Sequence, residues 1–134
     1  MKDYFDSSVL VGAILNRHPQ HKICVEIFES TPEKFTCAHA LAEIFNTLTG
    51  TYKISNDIAA QQVLQLRHSI SVSPLTLEDY ETAISEARQR GIMGAVIYDS
   101  LHAVFARRRA AKRIFTLNAN DFIHVASDLE IVIP

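Results

Sequence analysis

Short apolar runs alternate along the chain with longer stretches whose apolar residues recur every three or four positions. Lys2 to Phe5 predicts a first strand, and Ser8 to Leu15 a helix that stops before the Asn16–Pro19 segment. A second helix is expected from about Gln20 to Glu29, behind Pro19, a residue suited to a first turn. Lys34 to Ala38 reads as a strand. From His39 to about Thr51, Leu41, Ile44, Phe45 and Leu48 mark one face of a helix, and beyond Ser55 the residues Ala59, Val63, Leu66 and Ile70 mark another. Ile70 to Leu75 predicts a third strand. Thr76 with Asp79 three residues later resembles a capping box, opening a helix that contains Tyr80, Ala83, Ile84 and Ala87. Gly91 and Gly94 separate it from a long helix of roughly Ala95 to Ala111. Arg113 to Leu117 then reads as a fourth strand, Asn118 to Phe122 as a turn, and Leu129 to Ile133 as a fifth strand.

Strands of this kind, separated by helices, imply a parallel sheet covered on both faces, an α/β protein. In such sheets ligands bind beyond the C-terminal ends of the strands, where Asp6 would lie. The 134 residues fit a single domain spanning 1–134, and 48% hydrophobic with 21% charged residues is ordinary for a globular fold. No apolar run reaches the ~18–20 residues of a membrane span, and the N-terminal residues lack a secretory pattern. A cytoplasmic protein without a membrane association is the expectation, with Cys24 and Cys37 as reduced core thiols.

A formal net charge of −2 is not that of a strongly basic nucleic-acid binder. The distribution is uneven, however. Arg107, Arg108, Arg109, Lys112 and Arg113 lie within seven positions and leave the rest of the chain acidic. They suit either contact with a phosphate backbone or a helix C-terminus, whose dipole favours cations.

Four carboxylates stand out. Asp6 ends the first strand; N-capping would explain it, although Ser7 or Ser8 could cap equally well. Glu43 is the only charged residue between His39 and Tyr52, on a polar face with His39, Asn46 and Gly50. That face resembles a cleft wall more than a solvated helix surface. Asp99 is set against the expected core stripe of Ile97, Tyr98, Leu101, Val104 and Phe105, among Ala95, Val96, Ala103 and Ala106. An ionised carboxylate on so apolar a face needs a counter-charge: a metal ion, a basic side chain from elsewhere, or His102. Asp121 follows the fourth strand, where turn chemistry alone would account for it. The topology nevertheless gathers all four at one sheet edge, and clustered hard oxygens select Mg2+ or Mn2+. The histidines show no zinc-ligand spacing, although His39 and His102 face the expected cleft. No phosphate-binding glycine loop or serine nucleophile elbow is present.

Four segments in order and spacing, FDSSVLV, AEIFNTLT, YDSLHAVFA and TLNANDF, resemble the PIN domain family, most of all its VapC-type toxins of prokaryotic toxin–antitoxin pairs. The resemblance implies a three-layer α/β/α sandwich around a parallel, five-stranded sheet and a metal-dependent endoribonuclease. Asp6, Glu43, Asp99 and Asp121 would be its catalytic and metal-holding acids, with Ser7, Thr116 and Asn118 in support. Relatives often carry acids at two positions after the fourth strand, and here the first is Asn118, so either Asn118 or Asp121 is the fourth site residue. His39 replaces a small hydroxyl usual one turn before the glutamate. The resemblance further implies an RNA substrate, products with 5′-phosphate and 3′-hydroxyl ends, a cognate protein antitoxin and a homodimer. Rival readings are a PIN ribonuclease outside any toxin pair and a non-catalytic RNA-binding module. A receiver-like phosphoacceptor domain would want a lysine after its last strand, and none follows Arg113.

Overall fold

The computed structural model describes residues 2–126 and 128–134. Its strands β1 (Asp3–Phe5), β2 (Lys34–Cys37), β3 (Ser71–Ser73), β4 (Arg113–Phe115) and β5 (Glu130–Val132) form one sheet in the order β3-β2-β1-β4-β5. Every neighbouring pair is parallel. Between them run α1 (Ser7–Ile14), α2 (His21–Ser30), α3 (Ala38–Asn46), α4 (Asn56–Leu66), α5 (Leu77–Arg90), α6 (Val96–Arg108) and the short α7 (Ala119–Phe122). The three-layer α/β/α sandwich and its five parallel strands are as the sequence implied.

Strand alternation divides the core in two. Phe5 and Phe115 face one layer, in which α1, α2 and α4 contribute Val9, Leu10, Cys24, Ala59, Val63 and Leu66. Tyr4, Phe35 and Ile114 face the other, against Ala103, Phe105 and Ala106 of α6 and Phe122 of α7. Helix α3 crosses between the layers at the C-terminal edge of the sheet, with Ala40 in the second and Ile44 and Leu48 in the first. That crossing carries Glu43 to the edge.

The chain winds from β1 through β2 to β3 on one side and from β4 to β5 on the other. The strand order therefore reverses between β1 and β4, where such sheets open their binding crevice. These two strands are tied at both ends. At the N-terminal edge Arg113 makes a two-pronged ion pair with buried Asp3, at 3.0 and 2.7 Å. At the C-terminal edge the Asp6 amide donates to the Phe115 carbonyl, and the Thr116 hydroxyl to the Asp6 carboxylate.

Several expectations need correction. The helix expected through Thr51 is α-helical only to Asn46, then widens into a π-helical turn, Thr47–Thr51. Thr49 there donates its hydroxyl back to the Phe45 carbonyl, a competitor of regular helix bonding. The segment expected to be a turn, Asn118 to Phe122, winds into α7 because Phe122 is fully buried in the second layer. Tyr98 is 51% exposed, whereas Ala103 and Ala106 are fully buried. Helix α6 packs its small residues on the sheet and Leu101 and Val104 against α5, so its core is not a single stripe. Both cysteines are free and buried, as expected.

The capping box at α5 is present: Asp79 accepts from the Thr76 amide, and Thr76 from the Asp79 amide. Asp79 also takes ion pairs from Arg108 and Arg109 of α6 and has no exposed surface. These guanidinium contacts and the backbone bonds hold its carboxyl below the usual range, outweighing the opposing effect of burial. Gly91 ends the helix at φ 68°, a left-handed cap that favours glycine. Asp79→Ala, losing the cap and the join to α6, is expected to lower unfolding free energy by roughly 1–3 kcal/mol in urea denaturation. An unchanged midpoint would show that neither contact contributes.

Candidate active site

Asp6 follows β1 directly and is only 4% exposed. It stands at the N-cap of α1 yet makes no capping bond, which removes the purely structural explanation for an acid here. Its oxygens instead accept three hydroxyls: Ser8 at 2.8 Å, Thr116 at 2.9 Å and Ser7 at 3.4 Å. Ser8, which the sequence suggested only as the start of a helix, is thus a closer neighbour than Ser7. Its oxygen also accepts the Leu117 amide. Thr116 similarly accepts the Asn118 amide at 2.9 Å, so one hydroxyl orients both Asp6 and the segment after β4.

Glu43 approaches from α3. Its carboxylate meets the Nε2 of His102 at 2.5 Å, and that nitrogen lies 3.9 Å from Asp6. His102 is buried, with Nδ1 2.5 Å from the Tyr4 hydroxyl, which itself donates to the Cys37 thiol at 3.2 Å. These bonds are all satisfied by a doubly protonated ring. Burial opposes its charge, but the imidazole pKa is raised well above its ordinary value by the surrounding contacts. Burial also pushes the Tyr4 hydroxyl far up, leaving it neutral. Among the contacts that favour the protonated ring are its bond to Glu43 and the nearby charge of Asp6. The sequence had offered His102 as a partner for Asp99; the fold gives it to Glu43.

Asp99 lies in the first turn of α6. Among the described residues neither it nor Asp121 has a hydrogen-bonded or ion-paired side-chain partner. Burial, together with the charges of Asp121, Asp6 and Glu43, raises the Asp99 pKa from 3.8 to about 6, against the opposing pull of His102. The other three acids predicted from sequence therefore all act on Asp99. Asp121 does so from the exposed first turn of α7, while Asn118 lines two adjoining clefts, one of which includes Asp121. As the side chains stand, no three His, Cys, Asp or Glu residues among those described are gathered closely enough to hold a metal ion. The donor chemistry suits a hard cation all the same: every acid offers oxygen, and their mutual repulsion is only partly offset by His102.

The basic cluster is elsewhere. Arg107 pairs with Asp128 and Glu86, Arg108 with Glu78 and Asp79, and Arg109 with Asp79. Arg113 is committed to Asp3. Arg109 lies ten positions after Asp99, about 15 Å along the helix, and Lys112 and Arg113 lie at the N-terminal edge of the sheet. The structure brings none of the five to the acidic edge. A cleft of about 470 Å3 beside Lys2, Lys34 and His68 is also at that opposite edge.

Fold and site thus define an α/β/α protein whose working edge is built from carboxylates and hydroxyls at the sheet's switch point. The chain belongs to the PIN domain family, whose model matches residues 4–128. No curated protein matches it. Among solved structures it is similar to VapBC2 from Rickettsia felis bound to a DNA fragment from its promoter, at 17% identity and TM-score 0.73, covering 100% of this chain and 99% of that one. It is similar to DNA-bound VapBC from Salmonella typhimurium, at 15% identity and TM-score 0.72, covering 99% and 98%. It is also similar to VapC20 of Mycobacterium tuberculosis, described as a sarcin–ricin loop cleaving toxin, at 17% identity and TM-score 0.71, covering 84% and 86%. The shared fold is that of VapC-type structures. Among the described residues no helix is long and apolar enough to cross a membrane.

The raised Asp99 pKa fixes the sign of a pH effect. The folded state binds the extra proton between 3.8 and about 6, so this group's contribution to stability is lost as pH rises through that window. In EDTA, Asp99→Asn is expected to melt a few degrees above wild type at pH 7.5 and to coincide with it near pH 4. Equal melting temperatures at pH 7.5 would refute the repulsion.

Proposed function

We propose that this protein is a metal-dependent endoribonuclease acting as the toxin of a toxin–antitoxin pair. The observation that carries the reading is that Asp6, Glu43 and Asp121, from separate segments of the chain, all act on the half-buried Asp99. The PIN family membership and the sarcin–ricin loop cleaving toxin among the similar structures support it.

Asp6, Glu43, Asp99 and Asp121 would hold Mg2+ or Mn2+, which when bound neutralises the scissile phosphate and acidifies a water for in-line attack. The chain's own part is to aim the acids. Ser7, Ser8 and Thr116 fix both oxygens of Asp6, so this carboxylate has little rotational freedom to lose. His102 restrains Glu43 through a ring that Tyr4 holds from its other nitrogen. Thr116 keeps the Asn118 backbone beside Asp6, at the start of the turn that carries Asp121. The substrate class is RNA. A protein antitoxin would cover this edge, and the chain would work as a homodimer.

Purified protein with Mg2+ or Mn2+ is expected to cut RNA from a mixed cellular pool, leaving 5′-phosphate ends. EDTA, Asp6→Asn and Asp99→Asn should each reduce the cleavage rate about 100-fold or more. Identical cut sites and rates in wild type and Asp99→Asn would sink the assignment. Light scattering of the isolated protein should give twice the chain mass; a monomer at micromolar concentration would exclude the dimer.

A further inference from the structure

A cleft of about 360 Å3 opens against the hydroxyl side of Asp6 and is shared between the segments after β1 and β4. One wall is formed by Ser7, Ser8 and Asn118. Ser8 is itself bonded to Asp6, so the cleft begins one side chain from the acidic edge. The other wall carries the rings of Tyr52 and His18, with centroids 6.3 Å apart, and the amide of Gln20.

This far wall is built and held. Tyr52 follows the π-helical turn, with its amide donating to the Thr47 carbonyl at 3.2 Å. Two positions on, the Ile54 amide donates to the Leu48 carbonyl at 2.9 Å. Lys53 between them takes the left-handed conformation, φ 57°, which turns the chain there. Arg17 donates to the Tyr52 carbonyl and sets its guanidinium 5.7 Å from the centre of the Tyr52 ring. His18 is fixed by accepting the Gln20 amide at 3.0 Å. Among the described residues, π-helical geometry occurs only at this turn, a distortion often found at functional sites.

The chemistry is that of a base pocket: a half-buried aromatic ring backed by a guanidinium, with a second ring beside it and carboxamides within the same lining. Single-stranded RNA is recognised by stacking unpaired bases on such rings and by hydrogen bonds to their edges. A second cleft, of about 300 Å3 along Asn118, Asn120 and Asp121, continues from the first through Leu117 and Asn118. The two meet at this shared wall, the first starting beside the hydroxyls that hold Asp6 and the second reaching Asp121.

We infer that the cleft between Ser8 and Tyr52 receives one unstacked RNA base next to the scissile phosphate, stacked on Tyr52, with the tilted His18 ring beside it and Gln20 and Asn118 contacting its edge. The assignment rests on the ribonuclease reading above. It gives a role to residues that neither the acidic motifs nor the basic cluster includes.

The test uses full-length Asp99→Asn protein, which should bind without cutting, and fluorescein-labelled single-stranded 12-nucleotide RNAs of mixed and homopolymeric sequence in Mg2+. By anisotropy, Tyr52→Ala should weaken binding roughly 10-fold or more, while Tyr52→Phe should stay within about twofold. Gln20→Ala, an exposed change that does not threaten the fold, should alter the order of affinity among the homopolymers. His68→Ala, at the opposite edge, should change nothing. Parent-like affinity and preference in both the Tyr52→Ala and Gln20→Ala proteins would overturn the cleft assignment, leaving the nuclease intact if wild type still cuts RNA. Absence of RNA binding by the parent together with absence of cutting by wild type would overturn the ribonuclease reading, and this one with it.

Discussion

The physical constraint at the β1/β4 opening is the negative charge that Asp6, Glu43 and Asp121 set against the half-buried Asp99. Nothing in the hydrophobic effect favours placing Asp6, Glu43, Asp99 and Asp121 at one edge. Separate devices hold them: three hydroxyls for Asp6 and the His102 ring for Glu43, whereas Asp99 has no such partner and its pKa is raised to about 6. A site that stores like charge in this way is poised for a cation, since each of those devices offsets the repulsion only in part.

The contrast between the two ends of the same strand pair is instructive. At the N-terminal edge Asp3 is buried and fully paired with Arg113, and the acid simply joins β1 to β4. At the C-terminal edge Asp6 is equally buried but meets only neutral hydroxyls at hydrogen-bond distance. Hydroxyls orient a carboxylate without cancelling its charge, whereas a guanidinium does both. One acid therefore joins two strands through a cation, while the other meets no cation at hydrogen-bond distance. Asp79 follows the first pattern: deeply buried and strongly paired, it fastens α5 to α6. Burial of an acid alone does not distinguish the two roles; the identity of its partner does.

The arginines teach the same lesson from the opposite sign. In the sequence, five cations within seven positions look like a surface for a polyanion. In the fold, four are spent on carboxylates contributed by β1, α5 and the segment before β5, and all lie away from the acidic edge. Charge density along a chain measures local composition, while a field at a site depends on which partners folding brings within a few ångströms.

Much was legible in the sequence because it follows from local rules. Apolar periodicity and turn chemistry determined the alternation of strands and helices, and the strand-end rule sent Asp6, Thr116 and Asn118 to one edge. The Thr76–Asp79 box was readable because capping depends only on residues three apart. What only the tertiary structure decided depends on contacts distant in sequence. The pairing of His102 with Glu43 spans 59 residues, and no spacing rule foretells it. The exposure of Tyr98 and burial of Ala103 follow from α6 packing on two partners at once, which a one-stripe reading of a helix cannot represent. The Ser8–Tyr52 cleft required α1, the loop before α2, the π-helical turn and the segment after β4 to meet. Local sequence fixes the direction in which each element presents its side chains; which of those side chains become neighbours is set by the topology of the sheet.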